Sequence, residues 1–284
     1  MKRALIILMC GCMLLFLLVG CTDESLKNDA ETESNIEQSV ETEIECNSEQ
    51  IQEEIETQMQ VNFGSYNIKH GADATFHMEL IGKNITEKKL DIVGLQEVDQ
   101  KVTRSLRIDT MKLLSEATGY KYYAFFKSIP LQGGEYGVAI LSKYPILETE
   151  LYMLESGSNE QRVLGRAAID IEGETVQFFV THLSYESLSL RQTQFEQVKD
   201  ILSSFDNFVL TGDFNTADFK EFEVLKDAAL VNNSEYSVPT FPKRMSAIDN
   251  IVYSKNCWSF DKPMTVTDSF SDHYMLYATG TYKK

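Results

Sequence analysis

Asp213 and Asn215, two residues apart, offer a carboxylate and a carboxamide just past a short apolar run, Phe208 to Leu210. The run reads as a buried strand, and Gly212 is expected to let the chain turn sharply after it. An acid and an amide at a strand end suit orienting a water and holding a phosphoryl oxygen beside a hard cation. Gly-Asp after a strand is also an ordinary turn, so the pair needs company to mean anything. The chain supplies it. Asn67, Glu97, His182, Asp249, Asp272 and His273 also fall at expected strand ends or in the turns just after them. Their oxygen donors suit Mg2+, Mn2+ or Ca2+ rather than zinc, and no Cys/His spacing suggests a zinc site. An acid held against a histidine fixes its tautomer and raises its basicity. Taken singly, Glu97 reads as a solvated strand end, His182 as a satisfied core histidine, Asn67 as a turn residue and Asp249 as a strand-end cap. The ordered set is what points to catalysis.

The elements that must position these groups alternate without a repeat. Strands are expected at Phe63 to Ile68, Asp91 to Leu95, Tyr122 to Phe126, Tyr136 to Ser142, Glu148 to Leu154 and Val163 to Ile171. Further strands are expected at Val176 to His182, Phe208 to Asp213, Ile248 to Tyr253 and Tyr274 to Tyr282. A helix closes over Thr86 to Leu90, others are expected at Ser105 to Thr118 and Phe219 to Leu230, and the longest amphipathic one at Leu190 to Phe205. Many strands with few helices suggest an α/β chain of two packed mixed sheets covered by helices.

The N-terminus carries a different signal. Met1-Lys2-Arg3 is followed by nearly unbroken apolar sequence from Ala4 to Val19, a signal-peptide pattern short for a spanning helix. Leu18-Val19-Gly20-Cys21 resembles the bacterial lipobox, which makes Cys21 the expected lipidation site and first mature residue. Residues 1–20 are therefore read as a lipoprotein signal peptide, 21–60 as an acidic tether and 61–284 as the catalytic domain. Of the formal net charge of −17, −12 falls within residues 22–60, +2 within the first three residues, and −7 within 61–284. The tether reads as a self-repelling spacer, although Ile36, Val40, Ile44, Ile51, Ile55 and Met59 fall near one helical face. The domain shows no basic block of the kind that marks nucleic-acid binding. Beyond residue 21 only Cys46 and Cys257 remain, so a disulfide framework is not expected.

Asn67, Gln96-Glu97, Thr181-His182-Leu183, Gly212-Asp213-Phe214-Asn215, Ile248-Asp249-Asn250-Ile251 and Ser271-Asp272-His273 recur in an order that resembles the endonuclease/exonuclease/phosphatase superfamily. The resemblance spans about 61–284 and implies a four-layer α/β/β/α sandwich, two packed mixed β-sheets flanked by helices, with the site at one end. It implies that Glu97 is the principal metal ligand with Asn67 beside it, and that Asp272 is a further metal-side carboxylate. Asp213 then positions or deprotonates the attacking water, and Asn215 holds a phosphoryl oxygen. His273, oriented by Asp249, serves as general base or charged stabiliser, and His182 bonds a phosphoryl oxygen and is also placed to protonate the leaving group. The cofactor implied is Mg2+ or Mn2+.

Tyr66 to Gly71, Gln132 to Gly137 and Ala139 to Pro145 are similar to a bacterial metal-dependent hydrolase branch of that group. Val138 departs from it, because an asparagine commonly follows the glycine there. Arg162 is placed either to meet a substrate phosphate or to cap a strand. His70 has no assigned role, and His77 reads as a surface residue. The expectation is a lipid-anchored metal-dependent phosphoesterase on the outer face of the cytoplasmic membrane, acting on a phosphorylated small molecule or lipid headgroup. A nuclease or a non-catalytic phosphate-binding lipoprotein is the alternative, and no obligate protein partner is inferred.

Overall fold

The central strands are apolar runs buried on both faces, and their two faces feed three cores. The computed structural model describes residues 58–283. The expected signal peptide, Cys21 and nearly all of the tether lie outside the described residues. The described residues form thirteen strands: β1 (Gln60–Asn67), β2 (Ile92–Gln100), β3 (Tyr122–Leu131), β4 (Gly134–Ser142), β5 (Ile146–Leu154), β6 (Arg162–Ile171), β7 (Glu174–His182), β8 (Phe208–Asp213), β9 (Ala228–Leu230), β10 (Asp249–Ser254), β11 (Trp258–Phe260), β12 (Met264–Val266) and β13 (Met275–Tyr282). The α-helices among the described residues are α1 (Met78–Glu87), α2 (Thr110–Thr118) and α3 (Leu188–Leu202).

One sheet runs β11-β13-β1-β2-β4-β3, with β12 also paired to β13, and the other runs β5-β6-β7-β8-β10-β9. Each is antiparallel except for one central parallel pair, β1 with β2 and β7 with β8. Val61, Phe63, Ile92, Phe178, Val180, Val209 and Ile251 fill the space between the sheets. Their neighbours one residue on point outward. Val93 and Leu95 pack beneath α1 and α2, whereas Phe179, Leu210 and Val252 pack beneath α3. The result is the expected α/β/β/α layering. Each fully buried aliphatic or phenyl side chain contributes roughly 1.5–3 kcal/mol by leaving water. Phe63 illustrates the packing, stacked on Phe178 across the sheets at 5.9 Å and edge-on to Trp258 at 5.3 Å.

Several expectations are corrected. Residues 219–230 do not form a helix. A 3₁₀ turn spans Phe219–Val224, and Ala228–Leu230 becomes an edge strand paired with Val252 to Ser254. Strand pairing overrides helical propensity there. The helix expected from Ser105 starts instead at Thr110, capped by Asp109, whose carboxylate accepts from the Lys112 amide. Leu106 and Arg107 are left-handed (φ 58° and 57°), because Thr103 to Ser105 are tied down by the buried Asp99 and by the β3–β4 turn. The longest helix begins two residues earlier than expected, where Ser187 caps the Leu190 amide.

Gly212 lies inside β8 with no turn. A side chain there would meet Thr181 at 2.8 Å, so the glycine answers to close packing rather than to bending. The left-handed residue is Asn215 (φ 53°). Glu97 likewise does not end a strand. It sits within β2, left-handed at φ 54°, where the pairing with β4 slips between Leu95 and Val98.

Candidate active site

The two parallel pairs aim their carboxyl ends at one place, and most of the candidate residues gather there. In register, Asn67 on β1 lies beside Gln96 on β2, and His182 on β7 lies beside Asp213 on β8. Strand β10 runs antiparallel to β8, so its first residue, Asp249, comes level with Asp213. The bulge in β2 turns Glu97 toward the same end. In Asp213-Phe214-Asn215 the middle residue anchors the motif. Phe214 is buried among Phe195 and Phe222 beneath α3, while Asp213 and Asn215 line the cavity.

Asn67 joins the sheets. Its Nδ2 donates to Glu97 Oε1 and to Asp213 Oδ2, both at 3.0 Å, and its Oδ1 accepts from the Lys69 amide. Asp213 Oδ1 accepts from the Asn215 amide at 3.0 Å, and Asn215 Nδ2 donates to the Leu183 carbonyl at 2.8 Å. His273 Nδ1 meets Asp249 Oδ2 at 2.9 Å, and its Nε2 is 3.6 Å from Asp213 Oδ2. His182 Nε2 approaches the same Asp213 oxygen at 3.6 Å. One carboxylate therefore faces two imidazoles and an amide. Thr240 fixes the dyad from behind. Its hydroxyl accepts from the Ile248 and Asp249 amides, and its carbonyl from the Tyr274 amide.

Burial and charge set the protonation states. Burial alone would pull His273 down, but the Asp249 charge and hydrogen bond, with Asp213 and Asp272, raise it to about 10. Burial, with Asp249 beside it, lifts Asp213 to about 7 against the pull of His273. Burial holds His182 well below its usual range, reinforced by Arg162 and His273. At neutral pH His273 is thus charged and His182 neutral.

The cavity has a volume of about 730 Å³ and is lined by Asn215, Glu97, His182, Asp213, Asp272, His273 and Arg162 of the expected set. Asp272 stands at its edge, 3.4 Å from both Lys69 and Lys243. Arg162 is nearly buried and ion-paired with Glu160 at 2.9 Å. Asn67 and Asp249 are not lining residues and lie behind those that are. His77 is exposed beside Glu79, as expected of a surface residue.

Several lining residues escaped the sequence reading: Arg104, Tyr136, Glu160, Phe241 and His70, to which no role had been given. Phe241 lies 5.0 Å from the His273 ring. The Gln132 to Gly137 stretch hinted at Tyr136. Nothing in the local sequence marked Arg104, whose partner Asp99 is identified only by the fold.

For a divalent cation, the donor chemistry fits at Glu97. This half-buried carboxylate has no lysine or arginine partner among the described residues, and its side-chain hydrogen bond comes from the neutral Asn67 amide. Asp213, Asp249 and His273 form a second group whose ligand atoms lie within 4.8 Å of one another. There the imidazole engages Asp249 Oδ2 through Nδ1, which makes the trio a hydrogen-bonded relay, while the buried Asp249 Oδ1 has no hydrogen-bond partner.

A family model described as the Endonuclease/Exonuclease/phosphatase family matches residues 64–273. No curated protein matches the chain. Among solved structures, an endonuclease/exonuclease/phosphatase from Beutenbergia cavernae is similar with a TM-score of 0.69 at 19% identity, covering 78% of this chain and 72% of that one. A mannosyl-6-phosphatase from Bacteroides thetaiotaomicron gives 0.62 at 18%, covering 77% and 98%. The human Nocturnin catalytic domain with bound sulfate gives 0.62 at 17%, covering 80% and 97%. At these identities the likeness is one of fold.

Proposed function

Because this chain belongs to the endonuclease/exonuclease/phosphatase family, we propose that it is a divalent-metal-dependent phosphoesterase, anchored outside the cell by lipid on Cys21. One observation carries the reading: Asn67 bridges Glu97 on one sheet to Asp213 on the other, with the Asp249–His273 pair facing Asp213. A phosphoryl group between these two walls meets a cation-binding carboxylate on one side and a charged imidazole on the other.

Glu97 and Asn67, with Asp272 at the edge, would hold Mg2+ or Mn2+, which when bound draws charge from a phosphoryl oxygen. The chain's own residues do the rest. Asp213, poised at about 7, orients the attacking water and takes its proton as the water enters in line with the leaving oxygen. Asn215 holds a phosphoryl oxygen through the amide proton that Leu183 leaves free. His273, protonated and fixed by Asp249, sets positive charge against the charge growing on phosphorus. His182, kept neutral by burial, serves as a hydrogen-bond donor to a phosphoryl oxygen rather than as an acid. Arg162 supplies a further cation to the same cavity.

The mannosyl-6-phosphatase likeness supports a monoester substrate, and the absence of a basic block argues against a nuclease, since phosphate backbones are held by Lys and Arg. The test is hydrolysis with and without chelator. Exhaustive chelation is expected to abolish activity, and added Mg2+ or Mn2+ to restore it. Full activity in chelator would remove the mechanism.

A further inference from the structure

An ester oxygen that departs from phosphorus carries a growing negative charge, and His182, given to a phosphoryl oxygen, does not serve it. We propose that His70 is a further catalytic residue, its Nε2–H donating a hydrogen bond to the leaving oxygen; the proposal rests on the phosphoesterase reading above.

His70 is half-buried and lines the cavity. It stands in the middle of a left-handed run, with φ of 45° at Lys69, 45° at His70 and 80° at Gly71. Left-handed backbone costs a non-glycine residue about 1–2 kcal/mol, so two such residues in succession persist only where their neighbours impose it. Here they do. Asn67 Oδ1 accepts from the Lys69 amide at 3.1 Å, the Ile68 carbonyl from the Gly71 amide at 2.8 Å, and the Gly71 carbonyl from the Phe76 amide at 2.8 Å. The residue that joins the two sheets therefore also fixes the turn that carries this imidazole.

Burial, with Arg104 nearby, holds the His70 ring below its usual range, so it is neutral at neutral pH. Its Nδ1 is buried and has no hydrogen-bond partner. A buried lone pair is tolerated better than a buried unpaired N–H, which puts the proton on Nε2. With Nδ1 closed off, the part of the ring that lines the cavity is the edge bearing Nε2. A neutral imidazole held there is a fixed donor for developing negative charge.

Position selects the atom it serves. The charged groups that act on His70 are Arg104, Asp99, Glu97 and Lys69, all of the β1–β2 wall. Asp213 and Asn215 belong to the opposite, β8 wall. Water held by Asp213 enters from the β8 side, and in-line displacement sends the departing oxygen the other way, toward His70. The cations beside it are anchored to acids: Arg104 Nε and Nη2 donate to both Asp99 oxygens at 2.8 Å, and Lys69 Nζ lies 3.1 Å from Asp73 and 3.4 Å from Asp272. The step needs water alone. Its oxygen joins phosphorus and its proton goes to Asp213, while the ester P–O bond breaks with the electron pair staying on the departing oxygen. Solvent then protonates that oxygen and takes the proton from Asp213, and His70 stays neutral throughout.

The experiment uses the full chain with Mg2+ and compares kcat/KM for ethyl, phenyl and 4-nitrophenyl phosphate. His70→Gly removes the imidazole and adopts the left-handed backbone without strain, so the fold should be kept, as denaturant unfolding will check. This variant is expected to lose about 10²-fold on ethyl phosphate and less than about threefold on 4-nitrophenyl phosphate, whose departing oxygen needs little help. His70→Gln, whose amide reaches about as far as Nε2, is expected to recover most of the ethyl phosphate rate. Equal losses on all three esters, or a Gln variant no faster than the Gly variant, would overturn the assignment. A second arm needs no turnover. Calorimetric titration with orthovanadate, which takes up the five-coordinate geometry, is set beside titration with inorganic phosphate. His70→Gly is expected to weaken vanadate about tenfold more than phosphate. Equal weakening would overturn the role of His70 and leave the phosphoesterase reading standing. A wild type that hydrolyses none of the esters yet shows the vanadate difference would sink the phosphoesterase reading alone, and one that shows neither would sink both.

Discussion

Asp213 is where the contacts concentrate, since it takes Asn67 from one sheet and two imidazoles from around it. Its neighbour His273 owes its charge to Asp249, and the linkage can be signed. The folded value, about 10, lies above the ordinary 6.5. Protonated His273 therefore stabilises the metal-free fold fully below 6.5, and that contribution is lost as pH climbs through about 10. Asp249→Asn should bring the imidazole titration down in a metal-free NMR experiment and flatten the pH dependence of urea unfolding across that window. In turnover, His273→Ala should lower kcat about 10²–10⁴-fold, far more than it raises KM. Asp249→Asn should follow in the same direction, and the double variant should be little worse than His273→Ala. Additive losses would mean that Asp249 does not act through His273. The ordered motifs named both residues, because acid-histidine chemistry restricts residue type. The 2.9 Å contact between them depends on β10 running antiparallel to β8, which no local pattern encodes.

At the scale of elements, what places the site is how closely the sheets approach beneath it. Gly94 on β2 faces β8, and a Cβ there would sit 1.9 Å from Thr211 Oγ1 and 3.1 Å from Val180. Gly94→Ala must push the sheets apart or tilt β2, one short step from the bulge that carries Glu97. The expected cost is about 1–3 kcal/mol of stability, read by denaturant unfolding, with activity reduced more than the folded fraction accounts for. Stability equal to wild type would show that the two sheets are not in tight contact there. Strands covered on both faces were legible as apolar runs, and so was their layering, because an unbroken apolar run between turn signals is a local pattern. The bulge at Glu97 was not legible, and neither was the packing role of Gly212, because both answer to neighbours far away in sequence. Residues 219–230 misled for the same reason. Ala228 to Leu230 are good helix formers, drawn into an edge strand by β10.

Over the whole chain, charge and composition divide labour. The domain holds −7 and residues 22–60 hold −12, so little in the total attracts polyanions, and the cavity mixes cations with acids, in keeping with the small-substrate reading proposed above. A sequence so rich in like charges suits a spacer rather than a packed core. Such a segment has a purpose if its start is fixed at a surface and the domain must stand clear of it. The last prediction follows. Cys21→Ser removes the thiol on which a diacylglyceryl group would be built, and with it the residue that would begin the mature chain. Two buried acyl chains bind a bilayer far more firmly than one, so wild type should sediment wholly with membranes. The variant should appear in the soluble fraction or persist as a heavier precursor, with its hydrolytic activity per folded molecule unchanged, since it alters none of the residues assigned to the site. Membrane fractionation with intact-mass measurement separates the outcomes. A variant that sediments as wild type does, with no lipid mass lost, would show that Cys21 is not the anchor, while leaving the Asn67–Glu97–Asp213 arrangement untouched.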